Sequence, residues 1–220
     1  MALYNRDSKL SDAIMAHPSL IPVVNRLGIK LGVGDETIGE VCAERHIDSD
    51  FFLSVVNTFL DEDYFPANAR GTFTLEKTIE YLQKTDSYYL RVQLPNIDRH
   101  FGSLMERSGK ENNLGLLRKF YLEMRRQITE CLLHDEEVLF PMLMRGDIDP
   151  DMEELVGGYA EVEEKLHDLL YFFVEHLHGE YDSNLCTAVV TAVFSLEKDI
   201  CQNNRIRNRI LNPLVAEMRK

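Results

Sequence analysis

The stretch NNLGLLRKFYLEMRRQITECLLHDEEVLFPMLM (112–144) decides the fold. Alternating three- and four-residue steps along it give one stripe: Leu117, Tyr121, Met124, Ile128, Cys131, Asp135, Val138 and Met142. That period belongs to an amphipathic helix and not to a strand. The segment is far longer than the average helix of about 12 residues, and it needs other helices on which to bury its stripe.

Working outward, the connectors RSGKENN (107–113), GDIDP (146–150) and HGEYDSN (178–184) are short and turn-like. They separate three more long helical patterns, at 73–107 with a break or bend near Pro95, at 150–178, and at 184–218 with Pro213 near its end. Short connectors make neighbouring helices antiparallel. The expected fold is therefore all-α, with an up-down four-helix bundle over residues 73–220.

Before the bundle the pattern differs. Residues 1–62 read as a small helical N-terminal domain of four short helices. Ser8 or Ser11 starts the first, which stops before Pro18; the second runs from Leu20 to Leu27 and ends at Gly28. Asp35 or Thr37 caps a third reaching His46, and Asp48 or Ser49 caps the fourth, DFFLSVVNTFL (50–60). The stretch DEDYFPANARGT (61–72) supplies a linker, counted from residue 63 to 72.

Composition narrows the function. Of 220 residues, 24 are Lys or Arg and 37 are Asp or Glu, a net charge of −13. Such a field repels phosphate backbones, so the expected partners include no nucleic acid. No run approaches the roughly 18 apolar residues of a membrane span, so no membrane is expected either. The N-terminus lacks a signal core, and the four cysteines (42, 131, 186 and 201) include no CxxC pair. The expected location is cytoplasmic, with reduced thiols.

The other helical stripes are Leu75, Ile79, Leu82, Asp86, Tyr89, then Ile97, Phe101 and Leu104; Met152, Leu155, Tyr159, Val162, Leu166, Leu169 and Phe173; and Cys186, Val189, Val193, Leu196, Ile200, Asn203, Arg207, Ile210 and Leu214. Each is apolar except at one place. There it carries Asp86, Cys131 with Asp135, Tyr159, or Asn203 with Arg207. An unpaired buried charge costs several kcal/mol, so one polar interruption in every helix predicts a polar centre.

The chain also resembles a known family. MAHPSLIPVVNRLGIKLGVGDETIGEVCAERHID (15–48) resembles the small domain that opens the ScdA-type proteins for repair of iron–sulfur centres. TDSYYLRVQLP (85–95), CLLHDEEVLFP (131–141), YAEVEEKLHDL (159–169) and LEKDICQNNRIRNRILNPLV (196–215) resemble the four helices of their hemerythrin-like di-iron domain. The resemblance implies two irons bound by a histidine on each helix, with a glutamate four residues after two of them. At those positions this chain has Asp86, Cys131 with Asp135, Tyr159, and Asn203 with Arg207. The family's N-terminal cysteine pair falls near Gly32 and Val33. The six bundle positions are also those that interrupt the apolar stripes.

A di-iron site needs about six imidazole and carboxylate donors. Two carboxylates, a thiol, a phenol, an amide and a guanidinium replace them, and a guanidinium repels cations. Arg207 is expected to pair with Asp135, Asp86 or both. The expected cofactor is none, iron through an altered ligand set being the alternative. A small-molecule pocket lined by Arg207 and Tyr159 is a further alternative.

Among the histidines, His134 is expected at the rim of the bundle, His167 solvated, His176 and His178 at a helix end, and His100 half-buried. Cys131 near His134 is expected to be an inert thiol. Arg205, Arg209, Arg219 and Lys220 are expected to form a solvated face. The N-terminal domain, through Leu20, Val23, Val24, Phe51 and Phe52, is expected to offer an apolar face for a protein partner or self-association. The function expected is binding or stress-linked regulation, not catalysis. The alternative is iron supply for cluster repair.

Overall fold

The computed structural model describes residues 3–66, 73–109, 111–147 and 159–218. Among them the regular structure is all-helical, with isolated β-bridges between Lys9 and Thr37 and between Asn112 and Gly179. Two compact units emerge. The first comprises Met1–Lys84, Leu143–Val156 and Gln202–Lys220; the second comprises Thr85–Met142 and Gly157–Cys201. Residues 67–72 of the expected linker, and Met152 and Leu155 of the third stripe, lie outside the described residues.

The first unit opens with α1 (Leu10–Ala16), α2 (Leu20–Arg26), α3 (Ile38–Glu44) and α4 (Ser49–Leu60). Their starts follow local chemistry. Thr37 Oγ1 accepts from the Glu40 amide while the Glu40 carboxylate accepts from the Thr37 amide, a reciprocal cap for α3. Asp48 Oδ1 accepts from the Asp50 and Phe51 amides and caps α4. Neither expected serine caps α1; its N-cap residue is Lys9, and the Ser8 hydroxyl instead accepts from the Asn5 amide.

The short helices close on one another through their apolar faces. Leu20, Val23, Val24, Phe51 and Phe52 are all buried. This corrects the expectation of an exposed apolar face there: these side chains are already spent within the unit. Helices this short hold only by such packing.

Three long helical runs each change pitch once. α5 (Leu75–Tyr88) passes through a π turn, Tyr89–Gln93, into α6 (Leu94–Arg107). α7 (Leu114–His134) passes through Asp135–Leu139 into α8 (Phe140–Arg145). α10 (Ser183–Ile206), which follows the uninterrupted α9 (Ala160–His176), passes through Arg207–Leu211 into α11 (Asn212–Met218). In each run the proline sits six residues after the start of the π turn: Pro95, Pro141 and Pro213.

The cause lies in the proline ring, which clashes with the carbonyl four residues back and offers no N–H to it. The residue just before each proline instead donates five residues back: Leu94 to the Tyr89 carbonyl, Phe140 to Asp135 and Asn212 to Arg207. The widened turn accommodates the ring and inserts one residue into the helical phase. Beyond it the buried stripe moves on by one. Leu139 and Leu143 are fully buried, whereas Val138, expected inside, is 40% exposed and Met142 only half-buried.

In the second unit one apolar cluster draws on α6 (Ile97, Phe101, Leu104), α7 (Tyr121, Ile128), α9 (Leu166, Leu169) and α10 (Val189, Val193, Leu196). The Tyr121 hydroxyl, buried beside the stacked ring of Phe101, donates to Asp98 Oδ1 at 3.0 Å and to the Leu94 carbonyl at 3.3 Å. Burial, reinforced by the Asp98 charge, pushes the Tyr121 phenol well above its ordinary range, so it stays a donor.

Candidate functional site

The six polar positions divide between the units. Asp86, Cys131, Asp135 and Tyr159 belong to the second, Asn203 and Arg207 to the first. Asp86, Asp135, Tyr159, Asn203 and Arg207 are buried, and Cys131 is half-buried. Carboxylates and guanidinium groups are almost never fully buried unless paired, so their placement is a costly feature of the fold.

In the second unit the structure brings two of these residues together. The Tyr159 hydroxyl donates to Asp135 Oδ2 at 2.9 Å. Tyr159 is the residue preceding α9, and Asp135 is the first residue of the second π turn. A phenol donating to a carboxylate is a charge-assisted bond, stronger than a neutral pair.

In the first unit Asn203 Oδ1 accepts from the Tyr81 hydroxyl at 3.2 Å. Tyr81, on α5, is buried and did not stand out in the sequence, because tyrosine at an inward position reads as ordinary core. One helical turn after Asn203 comes Arg207, 4% exposed, the first residue of the third π turn. The π turns thus begin at Tyr89, Asp135 and Arg207, and the residues four before them are Thr85, Cys131 and Asn203. Two of these three pairs are the positions that the resemblance matches to a histidine and its glutamate.

The donor chemistry of this set does not fit a di-iron centre. Tyr159 presents a phenol, and Asn203 an amide, where the resemblance implies imidazoles, and the Arg207 guanidinium has no lone pair to give. Among the described residues no group of three or more His, Cys, Asp or Glu side chains is arranged to hold a metal ion. His134 is exposed, as expected for a rim residue; His100 is half-buried, and His176 and His178 are exposed at and just beyond the end of α9. His167 is exposed and lies 3.1 Å from Glu197.

The basic residues of the last helical run are not a solvated face throughout. Arg205 donates to the Phe59 carbonyl and to Glu62. Arg209 donates to the carbonyls of Asp61, Tyr64 and Glu62, and its guanidinium lies 4.3 Å from the centre of the Phe65 ring. Both therefore fasten the last turn of α4 and the residues that follow it, 59–65. Arg219 and Lys220 lie outside the described residues.

No family model matches this chain, and neither does any curated protein or solved structure. No helix among the described residues is long and apolar enough to cross a membrane.

Proposed function

We propose that this chain is a hemerythrin-like, ScdA-related protein of the cytoplasm whose di-iron ligands have been replaced by polar side chains that bind one another. Its role is binding or regulation rather than redox catalysis. The observation that supports this reading best is the Tyr159–Asp135 hydrogen bond, in which two positions matched to iron ligands satisfy each other. Tyr159 thus offers a phenol where the resemblance implies an imidazole, and it uses that phenol's proton on the neighbouring carboxylate. Arg207 supports the reading too, since it sets a permanent cation at a position matched to a carboxylate ligand.

A metal that binds the folded state and not the unfolded one raises its melting temperature, by an amount that grows with the logarithm of metal concentration over Kd. Anaerobic melting of the full chain with and without excess ferrous iron should give coincident curves. A rise of several degrees that a chelator reverses would restore the alternative, an iron protein for cluster repair with an altered ligand set.

A further inference from the structure

Tyr171 and Phe172, near the C-terminal end of α9, are 51% and 36% exposed. Their rings do not stand alone. Phe172 meets the half-buried Phe120 of α7 edge to face, with centroids 5.7 Å apart. The exposed His176 ring packs on Tyr171 at 5.6 Å and on Phe172 at 5.8 Å. Leu116, one helical turn before Phe120, is 69% exposed. Single apolar side chains on a surface are ordinary, whereas rings and a leucine gathered from two packed helices make a patch of the kind that marks interaction sites. Both helices belong to the second unit.

The charges around the patch restrict what covers it. Glu164, Asp168 and Glu175 are exposed and share the outward face of α9 with Tyr171, at steps of three and four residues. The basic side chains nearby are turned to other partners. Lys165 reaches Glu161 and Gln127, His167 lies against Glu197, and Arg126 of α7 is bound by Glu123 and Glu130. Against the three acids stands Lys119, exposed beside Phe120. A second copy would bring the same surplus of acid to the contact, and an anionic lipid surface would add to it, so like-charge repulsion disfavours both. A basic helix meets no such barrier. Its cations face these carboxylates while its apolar stripe covers the rings.

We propose that the α7–α9 face is the docking surface for an amphipathic helix of a partner protein, apolar along one stripe and rich in lysine or arginine beside it. Leu116, Phe120, Tyr171 and Phe172 supply the apolar contact. Glu164, Asp168 and Glu175 set the sign of the partner. Aromatic rings suit the centre of such a contact, because they offer a large area with few rotatable bonds to freeze. The surface serves whether or not the chain takes up iron.

The test titrates the full chain into a fluorescein-labelled synthetic helix of about 18 residues, with leucine at the helical period and lysine elsewhere. A second probe carries glutamate in place of lysine. Fluorescence anisotropy should show saturable binding of the lysine peptide below about 100 µM, and none of the glutamate peptide. A chain of net charge −13 attracts any polycation, so uncharged substitutions decide. Leu116→Gln together with Tyr171→Gln, both at exposed positions, should weaken binding at least about tenfold. Met15→Gln, at an 81% exposed position of the first unit, should leave it unchanged. No saturable binding of the lysine peptide, or an affinity that the Leu116 and Tyr171 pair leaves unchanged, overturns the proposal. So does a dimer in sedimentation that the same pair dissolves, because the occupant is then a second copy.

Discussion

The hydroxyl of Tyr159 donates to Asp135 Oδ2 at 2.9 Å, with both residues buried in the second unit. Tyr159→Phe removes the donor and leaves the carboxylate oxygen without it in the interior. The expected cost is about 1–3 kcal/mol, read as a lower urea midpoint with an unchanged slope. Tyr171→Phe, on the exposed face of α9, is the control and should move stability by less than about 0.5 kcal/mol.

The π turn at Asp135–Leu139 makes a prediction that a straight helix would reverse. A regular stripe through Asp135 places Val138 inside, but the inserted residue places Leu139 there. Leu139→Ala should therefore cost about 2–5 kcal/mol as a core truncation, and Val138→Ala under about 0.5 kcal/mol. Chemical denaturation of the two variants decides between the phases.

Arg209 is predicted to matter for stability and not for solubility. Arg209→Ala removes its bonds to the Asp61, Glu62 and Tyr64 carbonyls and its stacking on Phe65. A loss of about 1–3 kcal/mol is expected, with faster proteolytic cleavage at residues 61–66. Arg209→Lys keeps the charge but loses the planar fork, and should recover only part of it.

The Asp48 carboxyl is held below its usual 3.8 mainly by the hydrogen bond from the Lys77 ammonium, helped by the Phe51 and Asp50 amides. A depressed folded-state value means the stabilisation is fully present above about pH 4 and is lost as pH falls through the folded value. Asp48→Asn keeps the helix cap and removes the charge. The stability gap between wild type and this variant should be constant above pH 5 and shrink below pH 4, measured by urea midpoints across the series.

Much of this architecture was legible in the residues. The starts of the third and fourth helices were legible to within two residues, at Asp35 or Thr37 and at Asp48 or Ser49, because a cap is a local device, written in three or four adjacent positions. The stripes from Leu117 to Ile128, from Val162 to Phe173 and from Cys186 to Ile200 were readable because uninterrupted helices keep a constant phase. A constant period fails where the phase changes: the π turn before Pro141 puts Leu139 and Leu143 in the inward places that an unbroken helix would give to Val138 and Met142. It also misses what only tertiary contact decides. Arg205 and Arg209 spaced along a helix look solvated until the carbonyls after α4 come to meet them. The buried pair of Tyr81 and Asn203 joins residues 122 positions apart, which no local pattern discloses.

If Asp135 and Tyr159 serve each other and not a metal, the chain should take up no iron. Metal analysis of the full chain, expressed with added iron and desalted without chelator, tests it most directly. Under about 0.1 iron per chain and no visible charge-transfer absorption is the predicted result, since the surviving donor set is short of imidazole and carboxylate. About two irons per chain with an oxo-bridged absorption band, lost in Tyr159→Phe or Asp135→Ala protein that remains folded, would contradict it.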